Sequence, residues 1–554
     1  KVHKLMKKIW RAEITDEQFN IGLIPIGKLR YGADFEFFNA EHGHGDRKKL
    51  YMFMGVAMLI LILACLNYLN LVSAHAVKRE GEIWIRKVNG ASAANISGYF
   101  MMESVLLSIL AWGLATLLSI LGLRVFEHMM GILITPYYFY LIIALGFPIA
   151  IFIVGLASGF YPALKAGSNL FLSSGETSKP NFLFQRKLRN VFVMSQFVLS
   201  ITLVVSSMII FRQANFMKEF STGYSKENIV EFSFQSNQDT VVNEVSDYLN
   251  ANPDVEGFSF AGKSPISLTF LNTMEKWNWE GLQEGAHTSL YHISVDEEYL
   301  KVFQIPLAEG RFFSSVGTNQ NKIVINETLA AMCGFENPVG HIFRRDEKEY
   351  EILGVVRDFN FQHLSNEIRP LLFMHDASAR HLFVRIRSNA EEAAGHIQEQ
   401  ISSKTDSPVS YAYVSEEYDN LYRGEAQILS AILFFTVLSI LLSSLGLIGV
   451  VSHGIEEKTR EIALRKVFGA ETRAMMITLN VSILKIFIPG FFLGSIFAWL
   501  VMREWLMDYV YRRGIEVWVF LFGSFIILVV ALLSVSIQTW QAAKKSPAAA
   551  LRNL

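Results

Sequence analysis

Long apolar runs gather toward the two ends of the chain, and a stretch of mixed polarity separates them. A hydrocarbon core about 30 Å thick needs roughly 20 residues of apolar helix. Seven runs meet that length: 51–74, 97–123, 137–163, 190–212, 427–451, 476–502 and 516–540. Ser104–Leu123 has no charged residue, and Tyr137–Leu164 is equally clean. The latter contains Pro148, which a membrane helix tolerates where neighbours satisfy the freed carbonyl. Buried helices of a soluble core do not repeat runs of this length so often. The pattern therefore predicts a polytopic α-helical membrane protein with seven spans.

Residues 213–424 change character. Asn228–Phe234, Val255–Ala261, His381–Arg387 and Val409–Val414 read as strands, Thr240–Asn250 and Ala390–Ser403 as helices. These make two β–α–β units, far apart in sequence, that would pair as one ferredoxin-like sheet. Lys322–Ile325 and Tyr350–Val356 supply further strands, assigned to a second lobe over about 285–375. Phe211–Phe220 and Glu416–Ile428 carry helical pattern beyond the membrane ends, as stalks would.

Basic residues fix the expected orientation. Lys78, Arg79, Arg86 and Lys87 follow the first span, and Lys165, Lys179, Arg186, Lys187 and Arg189 lie between the third and fourth. Lys458, Arg460, Arg465, Lys466 and Arg473 follow the fifth, and Lys544, Lys545 and Arg552 close the chain. The opposite short loops hold only Arg124, then Arg503, Arg512 and Arg513. Positive charge marks the cytoplasmic side, so the C-terminus is expected inside and 213–424 outside. Arg47, Lys48 and Lys49 run against this assignment and are outnumbered.

Composition narrows the function classes. Of the 554 residues 18% are charged, below the ~25% of soluble domains. Fifty Lys+Arg against 51 Asp+Glu leave no basic surface for nucleic acid. Two cysteines, Cys65 in an apolar run and Cys333 in a polar region, make neither a disulfide framework nor a metal site. The histidines show no metal spacing, His42 and His44 reading as a polar loop, and no catalytic constellation assembles from spacing.

An internal repeat organises the rest. Val77–Ala91 matches Glu456–Ala470 at a constant offset of 379, with identities at Glu82/Glu461, Ile83/Ile462, Arg86/Arg465, Lys87/Lys466, Val88/Val467, Gly90/Gly469 and Ala91/Ala470. The first three spans thus duplicate the last three. A span and a soluble domain precede the second copy, so an eighth span and the rest of an outer domain are expected before Lys1. The organisation reads as 1–50, the tail of a first extracytoplasmic domain; 51–165, a three-helix membrane unit; and 166–189, a cytoplasmic linker. Then come 190–212, a span opening the second half; 213–424, the extracytoplasmic mixed α/β domain; and 425–554, the second membrane unit and tail.

The repeated segment is amphipathic. Glu82, Arg86 and Lys87 project from one side, Ile83, Trp84 and Ile85 anchor at the membrane surface, and Gly90 and Gly469 stand where a left-handed C-cap is expected. A short exposed helix with both charge signs, once per half, suits docking of a cytoplasmic partner at two equivalent sites. The candidate partner-binding residues are Glu82, Ile83, Arg86, Lys87 and Gly90, with Glu461, Ile462, Arg465, Lys466 and Gly469.

E-I-x-[IL]-R-K-V-x-G-A after a membrane span resembles the signature of the FtsX-like permeases, which include MacB-type ABC transporter subunits. Tyr299–Phe313, Ile323–Glu327, Asn337–Gly340 and Gly354–Phe359 resemble the MacB-like periplasmic core domain. Ser546–Arg552 is similar to the family's C-terminal N-P-x-E-A-L-R, with Ser for Asn and Ala for Glu. The resemblance implies a multi-pass permease of the bacterial inner membrane, surrounded by lipid, with no cofactor of its own. No G-x-x-x-x-G-K-[ST] segment occurs in the chain, so ATP and Mg are expected in a separate cytoplasmic ATP-binding subunit, in two copies. Mechanotransmission to the outer domain, expelling peptide, drug or lipoprotein-type substrates, is the implied function. A peptide-sensing module that signals to a cytoplasmic partner is the alternative. The MacB-type permease proper has four spans and a fused ATPase, so its substrates do not transfer.

Isolated features receive bland readings. Glu103 lies near the interface, and Lys485 is placed to snorkel. Gly155-xxx-Gly159 and Gly490-xxx-Gly494 permit close helix packing. Asp296-Glu297 and Glu416-Glu417 read as charges at helix starts.

Overall fold

The computed structural model describes residues 47–78, 82, 85–86, 88–131, 138, 179–233, 239–266, 276–282, 288–315, 319–345, 348–376, 381–387, 390–405, 409–457 and 472–544. The chain divides into two compact units, Lys1–Leu61 and Ile62–Leu554. In the first, the described residues are helical, with Tyr51, Met54 and Met58 exposed. Among the described residues three long helices come first: α1 (Arg47–Lys78), α2 (Ala93–Met130) and α3 (Lys179–Glu219).

The α/β segment follows, as β1 (Ile229–Ser233), α4 (Asp239–Ala251), β2 (Val255–Ala261), β3 (Lys276–Trp279), β4 (Thr288–Ser289), β5 (Tyr291–Val295) and α5 (Tyr299–Phe303). It continues through β6 (Leu307–Gly310), β7 (Lys322–Asn326), α6 (Glu327–Cys333), β8 (Ile342–Arg345), β9 (Lys348–Val356) and β10 (Leu371–His375). It closes with β11 (His381–Ile386), α7 (Ala390–Ser402), β12 (Ser410–Tyr413) and α8 (Val414–Leu421). The chain then runs through α9 (Arg423–Glu457), α10 (Thr472–Leu506) and α11 (Val517–Lys544).

Among the described residues, six helical stretches are long and apolar enough to cross a membrane, within α1, α2, α3, α9, α10 and α11. The predicted span 137–163 lies, apart from Tyr138, outside the described residues.

The two distant β–α–β units meet as predicted. Strands β12, β1, β11 and β2 lie side by side in that order, all antiparallel, which is ferredoxin-like order. Alternation along β1 sends Val230 and Phe232 into a core with Val245 and Leu249 of α4 and Ile397 and Ile401 of α7. Ile229, Glu231 and Ser233 take the opposite face. The second lobe differs from expectation, because the sheet does not stop at β2. Ala261 pairs with Val295 of β5, and the strands continue through β10, β7, β9, β8 and β3 to β4. Residues 285–375 extend one sheet instead of forming a separate body. Ile323, Val324 and Ile325 of β7 are all fully buried, as a strand covered on both faces requires.

The helices form a bundle around α3, which packs on α9, α10 and α11. Small residues let the backbones approach. A Cβ on Gly494 would stand 3.0 Å from the Val198 carbonyl oxygen, and one on Gly490 3.1 Å from Phe197 Cβ. Polar side chains bridge the same contacts: Ser200 Oγ and Ser439 Oγ lie 3.1 Å apart, and Thr436 Oγ1 donates to the Leu203 carbonyl at 3.3 Å. The Gly155–Gly159 pair lies outside the described residues.

Candidate functional site

The described part of the first amphipathic segment is a charged elbow. Arg86 Nη2 lies 2.7 Å from Glu82 Oε1, one helical turn away, and its guanidinium stands 4.1 Å over the Tyr99 ring of α2. The turn closes with Asn89 N–H donating to Ile85 O and Ala91 N–H to Arg86 O, both 3.0 Å. That second bond is the long one of a Schellman cap, and Gly90 takes the left-handed conformation it needs, at φ 87°. Ser92 then accepts from Asn95 N–H at 3.2 Å and starts α2. The structure therefore joins Glu82, Arg86 and Gly90 in one elbow. Both charged side chains stay partly open, at 42% and 37% exposure. Ile83 and Lys87, like Glu461, Ile462, Arg465, Lys466 and Gly469, lie outside the described residues.

A second site, which the sequence reading missed, joins the bundle to the α/β domain. Met217 of α3, Val414 and Tyr418 of α8, and Tyr422 between α8 and α9 enter the domain's aromatic core with Phe303, Phe359, Phe361, Phe373 and Phe383. Tyr418 Oη donates to the Met217 carbonyl at 2.9 Å, tying the two stalks together. Burial pushes the Tyr418 and Tyr422 hydroxyls up, so both remain neutral. The stalk over 416–428 is not one helix: it breaks between α8 and α9 at Tyr422, whose Oη accepts from Leu364 N–H at 3.3 Å.

The loop after β9 seats this joint. Asn326 and Asp358, both inside motifs singled out from the sequence, hold it. Asn326 Nδ2 donates to Asp358 Oδ1 at 2.8 Å, while its Oδ1 accepts from Leu329 and Leu371 N–H. Asp358 also accepts from Thr328 N–H and Oγ1. So fixed, the loop presses Phe359 onto Gly223, where a Cβ would stand 3.0 Å from Phe359 Cβ and φ is +86°. Only glycine suits that place. Further along, His363 Nε2 lies 3.6 Å from Glu425 Oε2, and Tyr509 Oη donates to Glu425 Oε1 at 3.4 Å. Glu425 is only 5% exposed. An acid in the first turn of α9, just ahead of its apolar run, was the available signal.

The α10–α11 loop is clamped beside it. Gln213 of α3, 1% exposed, donates to the Tyr511 carbonyl and accepts from Arg513 N–H, both at 3.0 Å. Arg212 pairs with Glu516, and hydrogen bonds from Arg212 and Trp518 hold that carboxyl below its ordinary value. Among the described residues no group of three or more His, Cys, Asp or Glu is arranged to hold a metal ion.

Comparison with known proteins agrees with this architecture. The FtsX-like permease C-terminal model matches twice, at 54–169 and 433–547. The MacB-like periplasmic core domain model matches 193–420. The uncharacterized ABC transporter permease MJ1507 of Methanocaldococcus jannaschii is 30% identical over 120 residues, 21% of this chain. The match spans only 30% of that relative's length. The periplasmic region of MacB from Actinobacillus actinomycetemcomitans is similar at 14% identity, over 36% of this chain and 94% of that one, with a TM-score of 0.27. The extracellular domain of the noncanonic ABC-type transporter YknZ from Gram-positive bacteria is similar at 13% identity, over 33% of this chain and 100% of its own, with a TM-score of 0.25. The chain belongs to the FtsX-like ABC transporter permeases, with two copies of the family's membrane unit flanking one MacB-like periplasmic core domain.

Proposed function

We propose that this chain couples ATP hydrolysis in a cytoplasmic partner to movement of its α/β domain outside the cytoplasm. The Glu82–Gly90 elbow receives the ATP-binding subunit, the second repeat at 461–469 receives another copy, and α3 and α9 carry the motion outward. The observation that carries this reading is the Tyr418–Met217 bond at 2.9 Å inside the domain core. Bundle helix α3 and α8, the short helix that leads into α9, meet there as part of the domain. The basic loops support an orientation with the elbow on the cytoplasmic side of a bacterial inner membrane. Movement of the domain would expel peptide, drug or lipoprotein-type substrates.

The test is co-purification in mild detergent with an ATPase assay on the eluate. Arg86→Glu combined with Arg465→Glu is expected to remove the ATP-binding subunit and its hydrolysis while membrane insertion persists. Normal co-purification from that double variant would remove the elbow from the account. Absence of any ATPase from the unaltered protein at low salt would favour a peptide sensor.

A further inference from the structure

Glu417 was expected to serve only the N-terminal dipole of its helix. It is instead turned onto the sheet. Glu231 of β1 faces it from the side opposite the α4–α7 core, with its side chain 9% exposed. Glu231 Oε1 lies 2.5 Å from His381 Nδ1 of neighbouring β11, and Ser233 Oγ lies 3.3 Å from the same nitrogen. Glu231 Oε2 is buried with no donor within reach. The Glu417 carboxyl neighbours the Glu231 carboxyl, and its own Oε2 accepts from Ser264 Oγ at 3.0 Å.

Two carboxylates cannot hydrogen bond each other, but a carboxyl and a carboxylate can, through one proton. That proton would supply the donor that Glu231 Oε2 lacks, and a buried acceptor without a donor is costly. We propose that Glu231 and Glu417 share a single proton and form a pH-gated latch holding α8, the head of the α9 stalk, against the sheet. With the proton held, the latch is closed. Once it leaves, two negative charges face each other in a buried site and α8 loosens.

The surroundings fit such a latch. Glu417 is pushed up to about 7, by burial first and then by the charge of Glu231, while Ser264 and His381 act in the other direction. Tyr299 of α5 and Tyr224 also face the pair, and burial drives both hydroxyls up, so neither adds charge. Arg385, on the same sheet face, gives its guanidinium to the Val302 carbonyl. Lys226, just before β1, sets its Nζ 3.2 Å over the Tyr418 ring of α8, and burial lowers that ammonium. His381 Nδ1 is the ring nitrogen that contacts Glu231 Oε1.

An acid raised by folding stabilises the fold fully below its ordinary value and loses that contribution as pH climbs to the raised one. For Glu417 the window runs from 4.5 to about 7.

The experiment is hydrogen–deuterium exchange on the full chain in lipid nanodiscs, following peptides over 229–233 and 410–421. From pH about 6 to about 8, protection corrected for intrinsic exchange is expected to fall by up to roughly tenfold. Glu417→Gln offers an amide N–H to Glu231 Oε2 at every pH and should hold protection level across that range. Glu231→Gln, which leaves α8 untouched, should flatten the profile too. Unchanged protection in the parent chain, or the same fall in both variants, overturns the latch. No ATP-binding subunit takes part in this readout, so its outcome is independent of the coupling function.

Discussion

Helices α2 and α3 are equally apolar by length and composition, yet their surroundings are opposite. Within its most apolar window 72% of α3 is buried inside the chain, against 6% of α2. Met102, Leu106, Leu110, Leu114 and Leu118 of α2 are all exposed, as side chains bathed in lipid would be. Along α3, Gln196, Ser200, Thr202, Ser206, Ser207 and Gln213 are all buried. Polar groups at membrane depth survive where neighbouring helices give them partners. Hydropathy finds a span; the spacing of polar residues along it marks which span other helices enclose. The enclosed one is also the one that runs on into the α/β domain.

The difference is sharpest at two glycines. A Cβ at Gly494 meets the α3 backbone, whereas a Cβ at Gly113 of α2 meets nothing within 4 Å. Gly494→Leu is expected to cost roughly 2–3 kcal/mol by forcing α10 off α3. Gly113→Leu should stay within about 0.5 kcal/mol. Thermal unfolding in one detergent measures both, and equal effects would erase the distinction. A smaller loss is expected at the joint. Glu425→Leu removes the acceptor for Tyr509 Oη and the partner of His363, at about 1–2 kcal/mol. The same scan reads it, and an unchanged midpoint would show the contact to be incidental.

Much of this was legible in the sequence. The ferredoxin-like half followed from strand alternation in β1 and β11 and from two helical segments of matching length. The elbow followed from the i, i+4 spacing of Glu82 and Arg86 and from Gly90. What escaped depends on neighbours far apart in sequence. The sheet crosses from β2 to β5 at the Ala261–Val295 pair, and periodicity within a strand says nothing about its partner. Asn326 and Asp358 stood out as motif residues, but their job of pinning the loop that carries Phe359 and His363 needed coordinates. Glu417 looked like an ordinary first-turn acid because Glu231 is remote in sequence.

The proposed coupling requires α3 and the α/β domain to move as one body. Pulsed electron–electron resonance tests it most directly, with spin labels at Phe211→Cys, exposed where α3 nears the end of the bundle, and at Glu399→Cys, exposed on α7. Cys65 and Cys333 are first replaced by serine. A single narrow distance distribution is expected in lipid nanodiscs. A broad distribution with several distances would mean that the domain swings freely on α3, and the transmission account would fail.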